Sequence, residues 1–354
     1  MQKAAPSNME CLFIGLFHEE SLCGVALVQY INLAGIETFK NESRTFCIKD
    51  YLFRRFSSHV LILGNNNLTG QNAYVLSDRI AEKDALPLFA AALDEIKTQY
   101  RKRRICINLV AVKDFNAAEF PGFDDAGFPG YHKFCTQPNM IFTVRDNWTT
   151  PEDYLADMNT KYRTQYNRAR KKADGIIKKR LTTAEVRESS KRISELYHTV
   201  ANRASFNTFF LPENHFLVLK EELQDDFLLY GYFLDGQMVG FNTLIRNGED
   251  MDTYFLGYDE AVQKEKMLYL NMLYDMVSYG ISKGARHIVF ARSAMEIKSS
   301  IGAVAEPVYG IIKHTNAAIN RYTGQLFEYF DPKVEWKERN PFKAPQPSFA
   351  GEVS

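Results

Sequence analysis

Residues 251–303 read MDTYFLGYDEAVQKEKMLYLNMLYDMVSYGISKGARHIVFARSAMEIKSSIGA. Met251–Leu256 is rich in β-favouring residues and precedes Gly257, a turn signal. Met267, Leu270, Tyr274, Val277 and Ile281 then recur at helical spacing. Leu268, Met272 and Met276 widen that stripe, which predicts a long helix lying against a sheet. Lys264, Asn271, Asp275, Ser278 and Ser282 line its opposite face, and Gly284 is placed to cap its end. His287–Ala291 is a short apolar run suited to a strand beside the first. Two parallel strands need a helical crossover, so the stretch predicts a βαβ unit.

The same order occurs earlier in the chain. Leu63–Gly64 is followed by a polar loop, then a helix with the stripe Leu86, Phe89, Leu93, Ile96 and Tyr100. The strand Ile105–Val112 closes that copy. Asp84 is the expected N-cap of the helix, with Pro87 in its first turn. This internal repeat predicts two similar α/β domains in tandem, each with a mixed sheet. The expected segments are a first domain over 10–146, a basic linker helix over 147–182, a second domain over 183–331 and a Pro-containing tail over 332–354.

The remaining elements follow from local signals. Cys11–Phe17 with Gly24–Ile31, and Phe227–Phe233 with Met238–Ile245 around Asp235-Gly236, predict hairpins. Lys133–Val144 reads as one strand and Gln325–Phe330 as the last. Asn41–Arg44 and Asn116–Gly130 read as turns. Thr150 and Pro151 open a helix that runs on through KYRTQYNRARKKA.

Composition narrows the function classes. The chain has 354 residues, 45% of them apolar, and balances 43 basic against 43 acidic side chains. No whole-molecule field draws it to DNA or membrane. Five cysteines, without CxxC spacing, argue against a disulfide framework or zinc finger. No apolar run approaches ~18 residues and no signal-peptide layout is present, so a cytoplasmic protein without a transmembrane segment is expected. His198, His215, His287 and His314 lack metal-ligand spacing and read as structural; no metal is expected. GxSxG, Walker-A and GxGxxG patterns do not occur.

The strongest local charge runs from Lys161 to Arg180 and includes Arg163, Arg168, Arg170, Lys171 and Lys178. It suits a surface for phosphates, and equally a solvated helix face.

Three stretches carry a family resemblance: PEDYLADMNTKYRTQYNRARKKA (151–173), FLLYGYFLDGQMVGFNTLIRNGEDMDTYFLGYDEA (227–261) and LYLNMLYDMVSYGISKGARHIVFARSAMEIKSSIGA (268–303), which ends in Lys298, Gly302 and Ala303. In this order they resemble the GNAT acyltransferase superfamily, and within it the tandem branch that includes FemABX-like aminoacyltransferases. The resemblance implies two tandem GNAT-like domains and transfer of an acyl or aminoacyl group to an amine. Its acceptor would be a small molecule or a cell-wall precursor. The implied donor is acetyl-CoA or another acyl-CoA, or alternatively an aminoacyl-tRNA or a carrier protein. The loop that holds the coenzyme A pyrophosphate in GNAT domains corresponds to Asp259–Met267. It keeps Gln263 but lacks the glycines, leaving Lys264 and Lys266 to supply charge. A catalytically silent GNAT-like binding protein is the alternative reading.

For acyl transfer the amine must lose a proton to a base, and the oxyanion needs a donor. Asp252 and Tyr254 share a face of the first strand by alternation. Asp252 is the candidate base and Tyr254 the polariser or proton donor, although a carboxylate there could also simply end a turn. Arg163, Arg168 and Arg170 are candidate donor-binding cations. Arg292 and Lys298 lie past the C-terminal end of the next strand, where α/β folds bind ligands. Arg292 could equally pair with Glu296, one turn on.

Overall fold

The computed structural model describes residues 2–35, 56–70, 73–116, 128–204, 207–330 and 335–343. The turn expected at Asn41–Arg44 and most of the one at Asn116–Gly130 lie outside these residues. The chain forms two compact units. Unit 1 comprises Met1–Gln137, Ser205–Phe210 and Pro307–Lys333; unit 2 comprises Pro138–Ala204, Leu211–Glu306 and Val334–Ser354.

In unit 1, β1 (Met9–His18) and β2 (Ser21–Asn32) form the expected hairpin, with β3 (His59–Leu63) beside β2 and the short β4 (Tyr74–Leu76) also pairing with β2. Helix α1 (Glu82–Lys102) crosses over to β5 (Leu109–Phe115), which pairs parallel with β3. Beyond β5 come β14 (Tyr309–His314) and β6 (His132–Cys135). Alternation along β2 and β3 and the 3.6-residue stripe of α1 bury Val28, Tyr30, Leu61, Leu63, Leu86, Phe89 and Leu93 in one core. Ala81, not Asp84, is the N-cap of α1. Asp84 lies inside the first turn with Glu82, where a carboxylate favours the positive helix end.

Unit 2 repeats this order. The meander β9 (Phe227–Leu234), β10 (Gln237–Asn247) and β11 (Asp250–Tyr258) leads through a crossover to β12 (His287–Val289), parallel to β11. Then follow β7 (Asn139–Thr143) and β13 (Val304–Glu306), while β8 (Ile177–Arg180) edges the sheet beside β9.

The two sheets therefore exchange one strand. β7 pairs with β12 and β13, and β14 pairs with β5 and β6. The predicted single strand Lys133–Val144 is two strands in different sheets, interrupted around Pro138, which has no N–H for a ladder. For the same reason neither unit is the continuous segment that the sequence suggests. Residues 325–330, expected as a strand, belong to the last helix, Thr323–Phe330, whose Phe327 ring packs on Phe134 of β6 at 4.4 Å.

The helix expected from Pro151 onward is two, α2 (Pro151–Asp157) and α3 (Thr160–Lys172). The break is held by the tail: Met158 bridges Phe342, Asn159 N–H donates to the Pro341 carbonyl, and Asn159 Nδ2 donates to that of Phe342. Phe342 is buried among Phe142, Trp148 and Tyr154 and Trp336 packs against the same core, so these two side chains anchor residues 335–343 to unit 2. Among the described residues, no helix is long and apolar enough to cross a membrane.

Candidate functional site

In unit 2, β11 and β12 pair in two registers only, Met251 with Ile288 and Asp252 with Val289. β12 ends at Val289 while β11 continues to Tyr258. The parallel pair thus opens beyond Asp252, and the backbone of residues 253–258 is left without a partner strand on that side. On its other side β11 bulges against β10. Asn242 faces Leu256 and Leu244 faces Thr253, so Thr243 alone opposes Tyr254 and Phe255. Thr243 Oγ1 donates to the Phe255 carbonyl at 2.5 Å and fixes the bulge. α5 (Ser190–Ala201) lies directly on this strand; a Cβ on Gly257 would stand 2.4–2.5 Å from the backbone of Leu196 and Tyr197.

Asp252 sits at the mouth of the opening, only 5% exposed. Burial raises its carboxyl to about 6; Asn247 Nδ2, donating at 3.2 Å, opposes that rise, and the charge of Asp250 adds to it. Tyr254 Oη bonds to Nε2 of His215, 2.9 Å away, and the two rings are nearly parallel. His215 is fully buried at the start of α6 (His215–Leu223). The sequence reading treated it as structural. It is 39 residues from Tyr254 and no local spacing links them; only the packing of α6 on the sheet does.

Past β12 the chain turns through three non-glycine residues of positive φ, Ala291 (55°), Ser293 (66°) and Ala294 (48°). Such conformations cost free energy and need a clamp. Lys298, in α9 (Met295–Ser299), is that clamp. Its Nζ donates to the carbonyls of Phe290 (2.6 Å), Ala291 (3.3 Å) and Arg292 (2.7 Å). Burial lowers its ammonium to about 7. Lys298 therefore changes role: it is enclosed by backbone carbonyls and holds the loop that carries Arg292, instead of facing a ligand. Glu296, the alternative partner for Arg292, is engaged by Arg339.

The loop matching the GNAT phosphate cradle is helical. α7 (Glu260–Lys266) is followed by Met267 at φ 52° and then by α8 (Leu268–Ser282). The Asp259 carboxylate caps α7 by accepting from the amides of Ala261 (2.9 Å) and Val262 (3.2 Å). Lys264 pairs with Glu260 at 2.8 Å, which also meets Arg203. Gln263 hydrogen-bonds Tyr258, and Lys266 donates to the Asp174 carbonyl at 3.3 Å. These three side chains are engaged locally.

The basic helix α3 divides in two ways. Arg170 turns inward and pairs with Asp275 of α8 at 2.8 Å, beside Tyr232 and Lys178, which share that carboxylate. Asn271 Nδ2 donates to the Ala169 carbonyl at 2.9 Å. Asn271 and Asp275, on the polar face of α8, thus meet α3, where the amide and the carboxylate complete hydrogen bonds. Arg168 is exposed and Arg163 half-buried. Among the described residues, no group of three or more His, Cys, Asp or Glu side chains could hold a metal ion.

Residues 160–299 match the acetyltransferase (GNAT) domain family. That stretch is a GNAT domain. No curated protein matches it. Among solved structures, FemX is similar at 13% identity and TM-score 0.53, with 91% of each chain covered. L-PGS from Bacillus licheniformis is similar at 12% identity and TM-score 0.48, covering 85% of each chain. A tandem GNAT protein from the clavulanic acid biosynthesis pathway is similar at 10% identity and TM-score 0.47, covering 89% of this chain and 86% of that one. The likeness to FemX shows the fold, and the repeated strand order makes the two units tandem GNAT-like domains. The opening between β11 and β12 lies within the matched GNAT domain.

Proposed function

We propose that the chain is an N-acyltransferase of the GNAT and FemX-like type, moving an acyl or aminoacyl group onto an amine at the opening between β11 and β12. The observation that carries this reading is the early end of β12, which leaves the bulged backbone of β11 open beside Asp252 and the Tyr254–His215 pair. Asp252, raised to about 6, is ionised above neutrality yet basic enough to take a proton from an attacking ammonium. The strand backbone of β11 beyond the end of β12 is the place where a developing oxyanion would be received. The Tyr254 hydroxyl, oriented by His215, is placed to polarise the carbonyl or protonate the leaving group. Arg292 is the candidate cation for a carboxylate or phosphate of the substrate.

The donor follows from α7. A GNAT phosphate cradle needs amide donors at a helix start. Here Asp259 accepts from two of them and adds a negative charge. This favours an aminoacyl-tRNA or carrier-protein donor over acetyl-CoA or another acyl-CoA, with a small-molecule or cell-wall-precursor amine as acceptor. The same capped amides favour the second reading, a catalytically silent GNAT-like binding protein.

Thermal unfolding with acetyl-CoA, and with coenzyme A as control, tests the donor. A ligand that binds only the folded state adds about 2.7 kcal/mol at ~100 times its Kd. No shift is expected at millimolar acetyl-CoA; a clear upward shift would overturn the capped-cradle reading. Activity separates the other two. Once an aminoacyl or acyl donor gives turnover, Asp252→Asn should lower kcat by about 10²–10⁴-fold. No turnover with any donor class would leave the binding protein.

A further inference from the structure

A second cleft lies in unit 2, away from this opening. Its volume is ≈ 560 Å³ and Arg180, Asp225, Arg246, Tyr279 and Lys283 line it. Arg246 pairs with Met251 near the start of β11, whereas the opening lies towards that strand's far end. Tyr279 and Lys283 come from the C-terminal turn of α8, and Arg180 ends β8. Of the basic run Lys178–Lys179–Arg180, Lys178 approaches Asp275 and Lys179 pairs with Glu185. Arg180 alone of the three lines the cleft.

Three cations face one carboxylate here, and the carboxylates that touch them are loosely held. Asp225 meets Arg180 at 2.8 Å, but its side chain is 91% exposed. Asp226 reaches Arg246 at only 3.9 Å. Exposed pairs of this kind contribute little and exchange readily for a stronger anion. Guanidinium groups match phosphate oxygens with paired N–H donors. The negative end of α8 is weakened at the cleft, since the carbonyls of Tyr279, Gly280 and Ile281 already accept from Lys283, Ala285 and Gly284. Tyr279 is the aromatic residue of the lining; it meets Tyr230 edge-on at 5.8 Å, with Lys283 over its ring. The volume falls in the range of small-molecule sites, about 300–1,000 Å³.

We propose that this cleft binds a phosphomonoester carried on a planar group, a ligand of the nucleoside monophosphate kind. Arg180, Arg246 and Lys283 take the phosphate and Tyr279 takes the ring. The site is separate from the opening at β11 and does not depend on the acyl-transfer reading.

Calorimetric titration of the full chain in a phosphate-free buffer tests it, with AMP, adenosine and inorganic phosphate as probes. AMP is expected to bind, adenosine not to bind, and inorganic phosphate to bind at least tenfold more weakly than AMP. Because Arg246 and Lys283 are exposed, the double variant Arg246→Ala, Lys283→Ala should stay folded and weaken AMP at least tenfold. Arg187→Ala removes an exposed cation outside the cleft and should leave AMP affinity unchanged. AMP failing to bind at millimolar concentration, or binding the double variant as tightly as the parent, overturns the site. Equal losses in the double variant and in Arg187→Ala overturn it too, since they would mark diffuse charge. Inorganic phosphate binding as tightly as AMP overturns the planar ligand.

Discussion

The two parallel strand pairs of this protein start alike and end differently. In unit 1, β3 and β5 stay in register over four pairs, from Val60 with Leu109 to Leu63 with Val112. In unit 2, β11 and β12 manage two, ending at Asp252 and Val289. Both second strands then take a left-handed residue two positions on, Asp114 (φ 74°) and Ala291 (φ 55°). In unit 1 the chain returns at once to the sheet, with Phe115 opposite Tyr309. In unit 2 it leaves the sheet for the loop that Lys298 holds. The first strands diverge as well. β3 stops at Leu63, and the next residues close over a buried Gln29, whose Oε1 accepts from the Asn66 amide and whose Nε2 donates to Asn67. β11 runs on past the end of its partner. One copy of the same unit is sealed by polar side chains, and the other stays open with titratable groups at its mouth. This contrast supports unit 2 as the working copy.

The glycines of the two copies put the contrast to a direct test. Gly257 has no room for a Cβ, since the nearest atoms are backbone of α5. Gly257→Ala should therefore cost about 3 kcal/mol or more, through a shift of α5 off the strand. Gly64 has φ 143°, and its nearest contact is the movable Lys113 side chain at 3.2 Å. Gly64→Ala should cost about 1–3 kcal/mol, from backbone conformation alone. Urea unfolding of both variants checks the order; equal costs would remove the packing argument for β11.

Asp252 gives the next largest effect, and its sign is set by pH. Its carboxyl is raised from 3.8 to about 6 in the folded state. The folded protein thus holds the proton more tightly. The stability this lends is complete below the unfolded value and is lost as pH rises through about 6, by about 3 kcal/mol in all. Asp252→Asn should flatten the melting temperature between pH 4 and 8 and be the more stable form at pH 8. Parallel pH curves for the two proteins would show that Asp252 is not buried as described.

Lys298→Met should cost about 2–3 kcal/mol by leaving carbonyls of the 290–292 turn without a donor. It should also raise hydrogen exchange in residues 290–294 while leaving unit 1 unchanged. A variant with native exchange there would mean that the turn needs no clamp.

Much of this architecture was legible along the chain. Helical spacing marked α1 and α8, paired apolar runs around polar or Asp-Gly turns marked both hairpins, and Thr150-Pro151 marked the start of α2, because each signal is local. The repeat was legible as an order of elements, but its apparent anchor was not. Leu63–Gly64 and Leu256–Gly257 look equivalent in sequence, whereas the strand registers place Leu63 opposite Asp252 in the comparison. Strand alternation placed Asp252 and Tyr254 on one face, and the lack of glycines at residues 259–267 shows only beside the GNAT pattern that the chain resembles. His215 beside Tyr254, Arg170 on Asp275 and Lys298 beneath Arg292 were not legible, since each depends on groups brought together by packing.

The sequence by itself determined the long helices, the hairpins and the tandem order, because periodicity and turn signals are properties of neighbouring residues. Only the tertiary structure decided which strand completes which sheet and which parallel pair opens. It also decided which basic residues face outward. Strand partnership and desolvation are settled between residues far apart in the chain, where a carboxylate such as Asp275 meets its cation or an Asp252 loses its water.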